Sequence, residues 1–234
     1  SKILIDDEII NSNFSLNRVS ASNIYSKTNN PALNNAAFDG FAINSNDTKN
    51  LSKKNSKLFS IVGLVAAGDK PFKKKIKKFS TVEIMTGGII PKKFDTIIPI
   101  EKIIFHPNKM RPKNILINKR IKKNQHVRFK GSDYKKKDLL IKKGTILQSE
   151  HILVLKTLGI EKIKVKKIPN ILFFSTGNEI TNQIIIPDWK VRNSNSHFIE
   201  TLKNNFLFNF NNGGILKDKD EHIFKKKIDK ILKS

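Results

Sequence analysis

The chain has 234 residues, 38% of them hydrophobic, no cysteine, and 45 Lys and Arg against 20 Asp and Glu for a formal net charge of +25. That hydrophobic share excludes disorder by composition, and the missing thiols exclude a disulfide scaffold, a cysteine nucleophile and a Cys-ligated zinc site. Only Arg18, Arg111, Arg120, Arg128 and Arg192 carry the planar fork that favours base and phosphate recognition, so the excess of lysine reads as A/T-rich codon usage.

Residues 1–30 are polar and weakly patterned, with Ile3, Ile5, Ile9 and Ile10 as an early apolar cluster. Extended segments follow: 58–65 (LFSIVGLV), 81–85 (TVEIM) and 96–100 (TIIPI), the last containing Pro99, which suggests an edge or a strand end. Gly68-Asp69, Gly87-Gly88 and Gly131 punctuate them as turns, which predicts a β-rich barrel or sandwich up to about residue 147. The period then changes. Ile152, Leu153, Leu155 and Leu158 mark one face of a helix that starts at Gln148 or Ser149, with Gly159 just past its end.

Residues 160–166 (IEKIKVK) alternate as a strand, and 170–175 (NILFFS) reads as a buried parallel strand. A helix capped by Ser194 or Asn195 with Phe198, Ile199 and Leu202 inward is expected next. Phe206, Phe208 and Phe210 mark a second strand, and Asp218 or Asp220 caps a last helix carrying Ile223, Phe224, Ile228 and Ile231. The fold class is therefore mixed α/β, a β-rich N-terminal part followed by an incomplete doubly wound α/β domain.

Carboxylates are scarce, so those beside glycine turns stand out: Asp39 in Asp39-Gly40, Asp133 after Gly131, Glu179 after Gly177 and Asp218 after Gly213-Gly214. Several such groups in one cleft suit a hard cation such as Mg²⁺, whereas each alone also serves as a turn or cap residue. The strand ending in Thr86-Gly87-Gly88 can present a hydroxyl and backbone N–H groups to an oxyanion. Ser175-Thr176-Gly177 follows a strand at the place where α/β domains bind ligands. The five histidines have no ligand spacing, and a single Trp with two Tyr gives no stacking platform for single-stranded nucleic acid.

In order, these segments resemble the molybdopterin molybdenumtransferase family, MoeA and its gephyrin E-domain relatives. PALNNAAFDGFA (31–42) is similar to the family's PPFDNSAMDGYA, AAG (66–68) to its AAG turn, and IMTGGIIP (84–91) to IMTGAPLP. DTIIPIE (95–101) resembles DAVVMQE, VRFKGSD (127–133) resembles VRxxGED, FSTGNEI (174–180) resembles ISTGDEL, and VRNSNS (191–196) opens the next helix. Ala36, Phe41, Ser132 and Asn178 depart from the Ser, Tyr, Glu and Asp of those motifs.

The resemblance implies insertion of molybdate into adenylylated molybdopterin with release of AMP, in a cytoplasmic homodimer that uses Mg²⁺ and contacts the molybdopterin adenylyltransferase. It carries over Asp39, Thr86, Asp133, Glu179 and Asp218 as catalytic, Glu179 and Asp218 as metal ligands, and Gly87, Gly88, Ser175, Thr176, Gly177 and Asn195 as pterin-binding. It divides the chain into a discontinuous N-terminal domain (1–43 and 127–168), an inserted β-rich domain (44–126) and the first half of a molybdopterin-binding domain (169–234), truncated at both ends and inactive alone. Neither a membrane nor a nucleic-acid partner is expected. A non-catalytic pterin- or partner-binding module and a basic RNA-binding β-domain are the alternatives.

Overall fold

The computed structural model describes residues 4–203 and 207–232, which excludes Ile3 and Phe206; of Ile231 it describes the backbone only. Tyr25–Leu140 form one compact unit, and the residues before and after it form another. Among the described residues no helix is long and apolar enough to cross a membrane.

The Tyr25–Leu140 unit is built on a six-stranded mixed sheet in the order Thr96–Pro99, Gly40–Ile43, Ser80–Ile84, Lys57–Val65, Asn114–Ile117 and Ile104–His106. The three strands read from 58–65, 81–85 and 96–100 are all present, and Pro99 does lie on an edge, where its missing N–H leaves no ladder bond unmade. Gly40–Ile43, second in the sheet, was read only as part of a turn. All four of its residues are buried, because the sheet is covered on both faces and alternation is lost. Phe41 and Ile43 join one core with Phe59, Ile98 and Ile115, whereas Ala42 joins the other with Val65, Val82, Ile84 and Phe94.

Lys57–Val65 and Ser80–Ile84 are parallel, so residues 66–79 must cross over from the end of one strand to the start of the next. Phe72 and Ile76 on this crossover pack against the second core, while its lysines stay exposed.

In the other unit, the weakly patterned start of the chain holds a strand, Asp7–Asn11, antiparallel to Lys162–Lys166. The pairing joins residues about 150 positions apart in sequence, beyond the reach of local pattern. Arg18 is buried and its guanidinium bonds Glu8 and the Lys166 carbonyl. The Asp7 carboxylate lies 3.0 Å from Lys164 Nζ and 2.6 Å from Lys166 Nζ. Hydrogen bonds from Lys166 and then Lys164 lower its pKa from 3.8 to about 2.

The folded state therefore binds its proton less readily than the unfolded chain. The stabilisation is complete above the ordinary carboxylate range and disappears as pH falls through about 2. Asp7→Asn is expected to flatten the stability curve between about pH 4 and pH 2. Urea titrations across that window check it, and an unchanged slope would show that the pair does not form in solution.

The predicted helix runs Ser149–Thr157, with Gln148 as N-cap and Gly159, at φ +65°, just past its end. Leu155 and Leu158 are buried as expected, but Leu153 is 67% exposed because it lies on the opposite side of the turn. Asn170–Thr176 is a strand parallel to Asn209–Leu216, in a sheet of two described strands. With one partner strand, only Ser175 of its seven residues is buried, rather than the whole run.

The strand expected around Phe206, Phe208 and Phe210 begins at Asn209 and continues through Gly213-Gly214, which were read as a turn. The register shifts between Phe173 and Phe174, so Gly213 is the extra residue of a bulge. A Cβ at Gly213 would stand 2.3 Å from the Phe174 ring, so a side chain there would displace that ring. Two helices, Ser194–Leu202 and Glu221–Leu232, complete the unit. Phe198, assigned to an inner face, is 61% exposed.

Candidate functional site

Gly40 pairs with Ile84 across antiparallel strands, so the residues just outside that pair, Asp39 and the Met85-Thr86 turn, are brought together. Asp39 Oδ1 accepts two hydrogen bonds from one residue, 2.6 Å from Thr86 N and 2.7 Å from Thr86 Oγ1. Both residues are exposed. The backbone bond first, and the hydroxyl bond second, hold the Asp39 carboxyl below its ordinary range. Asp39 is thus a fixed negative charge rather than a proton carrier at neutral pH, because a good general base titrates near the working pH.

The expectation that this turn holds an oxyanion through its N–H groups is not met. Thr86 N–H is bound to Asp39, Gly87 N–H donates to Ala36 O at 2.9 Å, and Gly88 N–H donates to Met85 O at 2.8 Å. Every one of these donors already has an acceptor within the protein. The turn presents a carboxylate, not a nest of amides.

Asp133, the third candidate in the same unit, is paired with Arg128. It also accepts from Asn30 Nδ2 at 3.4 Å and from Ser132 Oγ at 3.3 Å. Its backbone N–H donates to Asn30 O at 3.0 Å. These contacts make Asp133 the closing residue of the 128–134 turn.

Glu179 and Asp218 belong to the other unit. Asp218 follows the Asn209–Leu216 strand, and Glu179 follows its parallel partner Asn170–Thr176, so both stand at strand C-termini. Asn178 bonds the Asp218 carboxylate through Nδ2 and accepts from Asp218 N at 3.2 Å. A carboxylate at 178 would repel Asp218, so the amide at this departure from the family motif holds Asp218 in place. Lys217 Nζ lies 3.1, 3.1 and 2.5 Å from the carbonyls of Gly177, Asn178 and Ile180, and Lys190 Nζ bonds the Asn178 carbonyl at 2.8 Å.

A cleft of about 450 Å³ beside these residues is lined by Phe174, Thr176, Leu216, Lys217, Asp218, Asp220 and Phe224. Thr176 therefore faces open space, whereas Ser175 is buried and donates to Asn193 Oδ1 at 2.6 Å. Asn193, not Ser194 or Asn195, is the residue at the N-cap position, and its Nδ2 reaches Asn182 Oδ1 at 3.0 Å. Asn195 lies exposed on the first turn of the helix. Asn193 was within the quoted VRNSNS segment, but only its fold neighbour Ser175 reveals its role.

Among the described residues no three His, Asp or Glu side chains converge as a metal cage. The lysine ammonium groups occupy the carbonyls of the 177–180 loop, so the oxygen donors open to a cation there are carboxylates. Glu179 and Asp218 each present an exposed carboxylate, the kind of hard oxygen ligand that Mg²⁺ takes alongside water and a substrate's phosphates, with Asp218 also bonded to Asn178.

The family model for the MoeA N-terminal region (domain I and II) matches residues 2–159. The chain is 32% identical over 189 residues to a molybdopterin molybdenumtransferase of Staphylococcus aureus, a match covering 80% of this chain and 44% of that protein. It is 30% identical over 198 residues to one of Staphylococcus epidermidis, covering 84% and 46%. Two crystal structures of a molybdopterin biosynthesis MoeA protein from Pyrococcus horikoshii superpose with TM-scores of 0.86 and 0.81, each at 28% identity. They match 97% and 96% of this chain and 58% of theirs. The chain spans about half the length of the relatives it matches.

Proposed function

The chain belongs to the MoeA family, and from that premise we propose that it is the N-terminal part of a molybdopterin molybdenumtransferase, inserting molybdenum from molybdate into adenylylated molybdopterin with release of AMP. The observation that carries this reading is the Asp39–Thr86 pair, an ionised, exposed carboxylate held by two hydrogen bonds on one oxygen. A fixed negative charge of this kind orients water or a cation at a phosphate bond without itself exchanging a proton.

In this proposal Thr176 and the Gly177 turn border the pterin-binding cleft, and Gly87 and Gly88 shape the backbone behind Asp39. Glu179 and Asp218 would hold Mg²⁺, which supplies Lewis-acid polarisation of the pyrophosphate oxygens. Asn178 and Lys217 tie the 177–180 loop, which carries Glu179, to the strand end that carries Asp218. Residues 169–234 would be the first half of a doubly wound domain, and residues 44–126 an insertion between 1–43 and 127–168. The complete protein would act in the cytoplasm as a homodimer, receiving its substrate from the adenylyltransferase.

The test is AMP release from adenylylated molybdopterin by the complete protein with molybdate present. Asp218→Asn is expected to slow it by about 10²-fold or more, as removal of one charge-stabilising group does elsewhere. Wild-type turnover in that variant would overturn the role assigned to Asp218.

A further inference from the structure

A cavity of about 870 Å³ lies within the Tyr25–Leu140 unit and includes neither Asp39 nor Thr86 in its lining. The crossover loop forms one wall through Phe72 and Ile76, and the segment after the glycine turn forms the other through Ile90 and Phe94. These four side chains pack against the same hydrophobic core, so the floor is apolar and anchored. Lys93 Nζ donates to Ile76 O at 3.1 Å and ties the two walls together. Lys130 N donates to Asn34 Oδ1 at 2.9 Å, which brings a further lysine to the rim.

Six of the fifteen lining residues are lysines: Lys73, Lys74, Lys75, Lys92, Lys93 and Lys130. The lining holds no carboxylate and no arginine. Over the whole chain lysine is about one residue in six, so the lining is richer in it than the chain as a whole. A charged rim around an apolar floor has one chemical complement, a ligand that is both anionic and apolar. Separate ammonium groups on flexible stems around an apolar floor match carboxylates interleaved with apolar side chains. Stacking of nucleobases needs an open aromatic face, and here Phe94 is buried and Phe72 half-buried.

We propose that this groove docks an acidic amphipathic segment of a partner protein. The segment's apolar side chains cover Leu33, Phe72 and Ile76, and its carboxylates meet the lysines of the rim. The inference uses no residue of the Asp39–Thr86 pair and stands apart from the proposed activity.

The experiment measures fluorescence anisotropy of a labelled peptide of about twelve residues, glutamates with leucines at helical i, i+3, i+4 spacing, added to this chain at physiological salt. Two further probes are a peptide with serine in place of leucine and an oligothymidylate. The leucine peptide is expected to bind at least about tenfold more tightly than either. Replacing Lys73, Lys74 and Lys75 together by Glu should weaken it by at least about tenfold, as should Lys92→Glu with Lys130→Glu. Circular dichroism of both variants verifies folding. Equal binding of the serine peptide or the oligothymidylate, no binding of the leucine peptide, or unchanged affinity in both folded variants would overturn the proposal.

Discussion

On the proposed function, Asp39→Asn in the complete protein is expected to lower molybdenum insertion by about 10²- to 10³-fold while the fold stays intact. The asparagine can keep its oxygen toward Thr86 N–H and Oγ1, so the geometry of the turn is retained and only the charge is lost. Thr86→Val removes one of the two bonds and leaves the backbone bond, the larger cause of the lowered Asp39 pKa. Its expected effect is smaller, about tenfold, with the carboxyl moving toward its ordinary range.

The two changes act on one oxygen, so the double variant should cost less than the product of the single ones. Turnover of AMP release and near-UV circular dichroism separate a lost charge from a lost fold. Full activity in a folded Asp39→Asn variant would remove Asp39 from the site.

Gly40→Ala is expected to be the most damaging small substitution in the Tyr25–Leu140 unit. A Cβ there would lie 2.0 Å from the Ile98 carbonyl oxygen and 2.9 Å from its carbon, both in the backbone of the neighbouring strand. No side chain can rotate to relieve the overlap, so the Thr96–Pro99 strand must shift away from the centre of a sheet packed on both faces. Overpacking of this kind costs about 3 kcal/mol. For a unit of about 116 residues that lowers the melting temperature by roughly 12 °C. Thermal and urea unfolding would show it; a change under about 0.5 kcal/mol would mean that the edge strand yields freely. The same shift moves Asp39, one residue away, so activity should fall with stability.

Much of the fold was legible in the sequence because local chemistry determined it. Lys57–Val65, Ser80–Ile84 and Thr96–Pro99 show themselves through β-branched runs between glycine turns, and Ser149–Thr157 through its cap and its terminal glycine. Gly40–Ile43 escaped because a strand buried on both faces has no alternation. Asp7–Asn11 escaped because its partner is far along the chain. Gly213-Gly214 was misread because a bulge against Phe174 and a turn leave the same mark in a sequence.

The candidate site divides the same way. Scarcity of acid and the spacing of glycine singled out Asp39, Thr86, Asp133, Glu179 and Asp218 from residue types alone, and the ordered motifs placed the chain in its family. Only the tertiary structure decided what each does locally. It set Asp39 against Thr86, engaged the turn's N–H groups internally, closed Asp133 on Arg128, and joined Asn178 to Asp218. It also turned an evenly basic composition into one lysine-rimmed groove over an apolar floor. A sequence records which groups are available; which hydrogen-bond donors remain free depends on strand register and crossover, and those are settled by partners far apart in the chain.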